Sequence, residues 1–491
     1  MNKKVTVIGS GISSLATSAF LARQGFDVTI HEKNPSIGGR ARQFSTDGFV
    51  FDMGPSWYWM PDVFERFYNQ FGYKASDFYE LKRLDPSYRV YWNDNSYTNV
   101  PARIEELNTW FEELEPGSSK KLEKFLKDAK YKYEVGMQEL VFKPSRSLIE
   151  FADTRILSGL FNMHLLSSFS GYIRKYFKNP KILSLLEFPI LFLGAMPSET
   201  PALYSLMNYA DISLGTWYPI GGMYKFIEAF EKIAKEQGVK IICNSEVQGF
   251  DFDGKEIKNV RTSNGSFETE IVVSGADYQH TDHKLLNGKA NYTEKYWDKR
   301  TMAPSCLLFY IGLNKRVDNL EHHNLFFDED FTKHAEEIYK DPKWPTSPLF
   351  YCSVPTKSDP TVAPYGSENM FLLIPIAPDL QDKEEIREKY FDLLLERLKL
   401  KTGNDIRQNI VYKKSFSIKD FKSDYNAFKG NAYGLANTLK QTAILKPSLK
   451  NNKLKNMYYT GQLTVPGPGV PPSIISGEVV AKEIIREHLK N

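Results

Sequence analysis

Two glycine clusters bracket an acidic residue within the first 42 positions, and their spacing suits binding of phosphate and ribose. Gly9-Ser10-Gly11-Ile12-Ser13-Ser14 follows the β-branched run Val5-Thr6-Val7-Ile8, and Glu32 closes the second apolar run, Asp27-Val28-Thr29-Ile30-His31. Glycines between a strand and a helix let a pyrophosphate approach the backbone at the helix N-terminus. An acid about 20 residues further on accepts hydrogen bonds from ribose hydroxyls. Gly38-Gly39-Arg40-Ala41-Arg42 comes directly after the acid. A second glycine pair with a guanidinium implies a cofactor longer than a nicotinamide dinucleotide needs, which favours FAD over NAD. Ser14 replaces the third glycine of the usual fingerprint, and its small side chain still allows close helix–strand packing.

Two other stretches could face such a cofactor. Gly54-Pro55-Ser56 ends the run Phe49-Val50-Phe51-Asp52 as a turn able to bring backbone amides beside an isoalloxazine ring. Near the C-terminus, Thr460-Gly461-Gln462-Leu463-Thr464-Val465-Pro466-Gly467-Pro468-Gly469-Val470-Pro471-Pro472 reads as a rigid loop between the strand at Met457 and a helix from about Ser473 to Leu489. It is suited to a flavin's pyrimidine edge and ribityl chain. The sequence shows no Ser/His/Asp constellation, and no catalytic side chain can be chosen from it. Cys243, Cys306 and Cys352 form no metal-ligand spacing and read as reduced cysteines in a cytoplasmic protein. His322-His323 reads as a polar loop, so no metal is expected.

The elements that must position these residues follow from periodicity. A βαβ unit opens the chain. Tyr88–Trp92 and Ser96–Val100 form a hairpin across Asn93-Asp94-Asn95, which marks entry into a second domain. A charged amphipathic helix spans 122–140. Helix 224–237, capped by Gly238, leads into a strand at 239–243, a hairpin around Asp253-Gly254 and a strand at 269–274 before Gly275-Ala276-Asp277, which returns the chain to the parallel sheet. Strands at 307–311, 349–352 and 370–374 and a helix at 383–399 follow. The expected fold class is α/β: a Rossmann-like FAD-binding domain (1–80, 220–290 and 450–491) with an inserted α+β substrate domain (81–219 and 291–449).

With 63 basic and 60 acidic residues among 491, the chain carries no nucleic-acid footprint. No signal peptide is expected from the N-terminal residues, and the most apolar stretch, Ile182 to Met196, is interrupted by Glu187 and Pro189. Aromatic content of 14% suits a long apolar site or a membrane-touching surface. The basic and aromatic run Tyr172-Ile173-Arg174-Lys175-Tyr176-Phe177-Lys178 lies within 155–206, expected to be a helical membrane-facing region. The alternative is a helical cap whose apolar face is core. The expected location is therefore cytoplasmic and peripherally membrane-associated.

On Gly9-x-Gly11, Glu32, Gly38-Gly39-Arg40-Ala41 and, more specifically, Thr460 to Pro471, the sequence resembles the FAD-dependent amine oxidase–like superfamily and, within it, bacterial phytoene desaturases. Tyr218-Pro219-x-Gly221-Gly222 and Gly275-Ala276-Asp277 fall where that family has similar segments; Gln462 stands where many flavoproteins carry an acid. The resemblance implies noncovalent FAD and a C40 polyene substrate, phytoene, taken from the bilayer and desaturated stepwise toward lycopene by hydride transfer to flavin, an oxidation of CH–CH bonds. The expected cofactor-binding residues are Gly9, Gly11, Ser13, Ser14, Glu32, Lys33, Gly39, Arg40, Gly54, Pro55, Ser56, Val247, Asp277, Gly461, Gln462, Gly469 and Val470. Alternatives are a carotenoid isomerase, a later-step carotenoid desaturase or oxidase, an amine oxidase, and a non-catalytic flavin- or lipid-binding module.

Overall fold

The structure is a computed structural model that describes residues 3–146, 167–191, 194–438 and 440–489. Five parallel strands form its cofactor-facing sheet, in the order Met457–Tyr459, Ile271–Ser274, Lys4–Ile8, Asp27–His31, Lys240–Ile242. Val5, Val7, Val28, Ile30 and Ile271 are fully or almost fully buried, as expected of parallel strands covered on both faces. One covering layer holds three helices. Ile12–Arg23 packs between Val470–His488 and Tyr224–Glu236. The chain leaves the central strand Lys4–Ile8 toward one edge and returns on the other side, so the carboxyl ends of the strands frame a crevice at the topological switch point.

A seven-stranded sheet forms the second body of structure. It runs Ile410–Phe416, Ser305–Leu313, Glu368–Ile376, Phe350–Ser353, His323–Phe327, Tyr88–Trp92, Tyr97–Val100. Every pair is antiparallel except His323–Phe327 with Tyr88–Trp92. Helix Glu384–Thr402 buries Tyr390, Phe391, Leu394, Leu395 and Leu398 in the core shared with this sheet and ends at Gly403. The expected hairpin at Asp253-Gly254 joins Val247–Asp253 to Glu256–Thr262 within a three-stranded meander.

Several local expectations change. The C-terminal helix starts at Val470 rather than Ser473, because Pro471 and Pro472 occupy its first turn, where a missing N–H costs nothing. Phe49–Asp52 pairs with Gln43–Thr46 in a separate two-stranded ribbon. The helix expected over 122–140 is Ser118–Val135 followed by a wider π turn, Gly136–Leu140. His322-His323 is not a polar loop: both rings are buried, and His323 opens a strand. The basic and aromatic run also divides differently from expectation. Tyr172, Ile173 and Phe177 are buried, as are Ile182, Leu185, Leu186, Phe188 and Ile190 of helix Pro180–Leu191, so the apolar residues of this region serve as core. Only Arg174, Lys175 and Lys178 face outward, and Arg174 pairs with the buried carboxylate of Glu187. The expectations for 155–166, 192 and 193 lie outside the described residues. Among the described residues no helix is long and apolar enough to cross a membrane, and no cluster of His, Cys, Asp and Glu could hold a metal.

Candidate functional site

The carboxyl ends of the parallel strands release the motif residues together. Gly9 follows strand Lys4–Ile8, Glu32 follows Asp27–His31, Gly275-Ala276-Asp277 follows Ile271–Ser274, and Thr460-Gly461 follows Met457–Tyr459. The two glycine clusters lock onto one another. Gly38 N donates to the Ser10 carbonyl at 3.0 Å, Gly11 and Gly38 form a parallel bridge, and a Cβ on Gly39 would lie 3.2 Å from Gly11 Cα. Arg40 is thereby held against the first loop. Its carbonyl also explains Gly54, where a Cβ would meet Arg40 O at 2.5 Å.

Gly11 behaves differently. Its φ is −67°, open to any residue, and nothing lies within 4 Å of a Cβ placed on it. No neighbour in the protein requires a glycine there, and the space above it, at the N-terminus of helix Ile12–Arg23, is cavity. Glu32 is 4% exposed; its Oε2 accepts from Ser10 N at 2.8 Å and Ser10 Oγ at 2.7 Å, and its Oε1 accepts from Asn34 N and Nδ2, each at 2.9 Å. The carboxylate is thus fixed in the crevice, each of its oxygens already accepting two hydrogen bonds.

Arg40 crosses the middle of the site. Its Nη2 donates to Asn431 O at 3.2 Å, its guanidinium lies 5.1 Å from the Tyr425 ring centroid, and its Nε has no partner among the described residues. With the Gln462 amide oxygen turned toward it, that oxygen accepts from Nη1 at 3.3 Å and Nη2 at 3.1 Å. Burial lowers the Arg40 pKa, with Asp277 opposing the shift, and burial raises that of Asp277. Asp277 caps the turn at His280 and accepts from Phe428 N at 3.1 Å. A buried guanidinium with an unused donor, a fixed acid and an unobstructed helix N-terminus together fit a dinucleotide carrying a pyrophosphate.

One cavity of about 480 Å³ connects these groups. Sixteen of the seventeen expected residues line it; Ser14 does not. Ser14 is fully buried and points at Gly275, where a Cβ would meet its Oγ at 1.9 Å, so it holds helix Ile12–Arg23 close to the neighbouring strand. The cavity continues past Gly54-Pro55-Ser56 into an arm lined by Trp57, Phe188, Leu206, Leu325, Phe371 and Leu373, reaching Met137 and Val141 at its helical side. Two groups of lining residues escaped the sequence reading. Asp424 and Tyr425 come from the end of helix Ile418–Tyr425 and Asn426 is its left-handed C-cap; the Ser417/Asp420 capping box at the helix start was the available signal. Tyr351 comes from an apolar segment that carries no motif, and Trp57 directly follows the Gly54-Pro55-Ser56 turn. Tyr351 stands beside His323, whose Nδ1 lies 2.6 Å from the Tyr351 hydroxyl.

Comparison with known proteins agrees with this geometry. The model of the flavin containing amine oxidoreductase family matches residues 12–485. The chain belongs to that family and, within it, to the carotenoid desaturases; it is an FAD-dependent oxidoreductase acting on CH–CH bonds. A carotenoid 3,4-desaturase of Haloarcula japonica is 40% identical over 98% of this chain and 98% of its own length. A zeta-carotene-forming phytoene desaturase of Myxococcus xanthus is 30% identical over 98% of this chain and 94% of its own. Among solved structures, an oxidoreductase from Methanosarcina mazei shares the fold with a TM-score of 0.65 at 16% identity, covering 98% of this chain and all of that one.

Proposed function

We propose that the protein desaturates a long carotenoid polyene, with the substrate lying in the apolar arm and its reacting carbons where the arm meets the Gly54–Ser56 turn. The observation that carries this reading is the continuity of one cavity from the glycine loops to an arm walled by aromatic and aliphatic side chains. In this reading Gly9, Gly11, Ser13, Gly39 and Arg40 hold the FAD pyrophosphate and Glu32, Lys33 and Val247 the adenosine. Gly54, Pro55 and Ser56 lie along the ring system, and Asp277, Gly461, Gln462, Gly469 and Val470 along the ribityl and pyrimidine side. Bound FAD supplies a two-electron acceptor for hydride. The protein orients the polyene, excludes water and takes up the accompanying proton. The parallel and seven-stranded sheets then correspond to a cofactor domain and a substrate domain.

A later-step carotenoid substrate is the favoured reading, because identity to the 3,4-desaturase is 40% against 30% to the phytoene desaturase over nearly the whole chain in each case. Conversion of phytoene toward lycopene is the second reading, supported by that full-length relationship. Pigment analysis in bacterial hosts accumulating either phytoene or lycopene separates them. New absorption at longer wavelength only in the lycopene host supports the first, and lycopene formed from phytoene supports the second. Unchanged pigments in both hosts, with a yellow purified protein, would refute carotenoid desaturation.

A hydrocarbon substrate resides in the bilayer, so uptake requires contact with a membrane surface. Lys175 and Lys178, the outward-facing lysines of the 172–178 run, are proposed to supply it. Arg174 is better left intact because it neutralises Glu187. The double variant K175E/K178E is expected to co-sediment less with anionic liposomes than the wild type, at unchanged FAD content. Equal co-sedimentation would rule this face out.

A further inference from the structure

Desaturation removes a hydride from one carbon and a proton from its neighbour, and the site so far lacks a group for the proton. The apolar arm is walled by hydrophobic side chains, and a hydrogen-bonded tyrosine–histidine pair stands at its wall. Strands His323–Phe327 and Phe350–Ser353 are antiparallel neighbours with His323 opposite Ser353 and Leu325 opposite Tyr351. That register sets the His323 and Tyr351 side chains diagonally across the pair. Tyr351 lines the cavity, and its hydroxyl lies 2.6 Å from His323 Nδ1. The Ser353 and Ser56 hydroxyls approach the same phenol, Ser56 from the Gly54-Pro55-Ser56 turn. His323 is fully buried, and its Nε2 has no partner among the described residues. Its ring lies flat on the Trp57 indole, with centroids 4.0 Å apart and planes within 11°.

We propose that Tyr351 is the catalytic proton acceptor of the reaction and His323 its positioning partner, forming a phenol–imidazole relay at the wall of the polyene arm. This assignment rests on the desaturase reading above. Bound FAD would supply the acceptor for the hydride that one substrate carbon gives up with its bonding pair. The adjacent C–H bond then supplies its electron pair to the new C=C bond and its proton to the Tyr351 oxygen. The phenolic proton moves to His323 Nδ1, leaving a neutral tyrosine and an imidazolium that returns its proton through the Tyr351 hydroxyl to water entering the cavity once the product has left. A C–H bond beside a carbon losing hydride is strongly acidic, so a weak, neutral base suffices. Burial holds the phenol proton firmly and keeps the imidazole neutral at rest, which leaves the pair uncharged until turnover. The Trp57 face, already in contact, stabilises the imidazolium while it exists, as an indole does any cation held over its ring.

The test uses purified holoenzyme and phytoene or lycopene, whichever the wild type converts. Anaerobic single-turnover bleaching of the flavin gives the rate of reduction. Titration of the polyene gives its Kd. Tyr351→Phe keeps the ring and removes only the hydroxyl; it is expected to slow flavin reduction by about 10²-fold or more, with FAD content and polyene Kd within about twofold of wild type. His323→Gln should show the same split between rate and affinity. Deuterium on the carbon that loses the proton should slow Tyr351→Phe more than it slows the wild type. Wild-type reduction rates in Tyr351→Phe would overturn the assignment, as would a loss of rate matched by an equal loss of affinity. Failure of both polyenes to reduce wild-type flavin would instead sink the desaturase reading, and the relay with it.

Discussion

Gly11→Val is expected to yield a folded protein with its ordinary thermal transition in the absence of flavin and at least a 100-fold loss of FAD affinity, seen as a colourless preparation. The expectation follows from what surrounds this residue. Its backbone is extended, with φ −67° and ψ 169°, a conformation valine adopts readily, and nothing in the protein lies within 4 Å of the new Cβ. The carbonyl of Gly11 accepts from Leu15 N at 3.0 Å, a bond that a side chain at position 11 leaves intact. What valine does fill is the space over the first turn of helix Ile12–Arg23, where backbone N–H groups await an anion. An isopropyl group there both excludes the pyrophosphate and screens those donors. Flavin binding should be measured by fluorescence quenching of added FAD and folding by far-ultraviolet circular dichroism. A yellow Gly11→Val protein would show that the pyrophosphate lies elsewhere.

The contrast between Gly11 and Ser14 shows which parts of the site were legible from sequence. The fingerprint encodes a conformation, a close approach and an acid at fixed spacing, all local properties, so the loop, Glu32 and the Gly38–Arg40 segment were found together. Their mutual docking through Gly38 N and Ser10 O was not, because it depends on how the second loop folds back. Ser14, which replaces the fingerprint's third glycine, packs its helix against Gly275 as its small size suggested, but it does not line the cavity as expected of a cofactor-binding residue. The parallel sheet was readable from its runs of valine and isoleucine. The seven-stranded sheet was not, since it joins residues 88–100 to 305–416 across more than 200 positions, and pairing at that range leaves no periodic trace. For the same reason Tyr351, His323 and Trp57 could not be brought together. The basic and aromatic run was ambiguous because a buried Tyr or Phe and a membrane-facing one are the same letters; the packing of Tyr172 and Phe177 into the core places those two rings inside.

Gly477→Val tests the opposite kind of glycine. Gly477 lies in the middle of helix Val470–His488, where it crosses helix Ile12–Arg23. A Cβ built there would fall 2.6 Å from Ser13 O, 2.7 Å from Ala16 Cβ and 3.0 Å from Thr17 N. Two of these three are backbone atoms of the other helix, so no rotamer change relieves the collision and the helices must separate. Separation breaks the bond from Thr17 Oγ1 to Gly477 O, 3.2 Å long, and opens the interface around Ala16, a residue fully buried in the native packing. Overpacking of this kind costs roughly 1–3 kcal/mol where side chains can adjust, and a backbone contact that cannot adjust lies at or beyond the upper end. Valine gains a little helix propensity over glycine, a few tenths of a kcal/mol, too small to offset this. The displaced helix is the one whose N-terminus holds the glycine loop, so Gly477→Val should lose both stability and flavin. Gly11→Val should lose flavin alone. Denaturant titration of the two variants without added FAD separates the effects: a wild-type midpoint for Gly477→Val would mean that the helices approach less closely than described, and a lowered midpoint for Gly11→Val would mean that its glycine serves the fold rather than the cofactor.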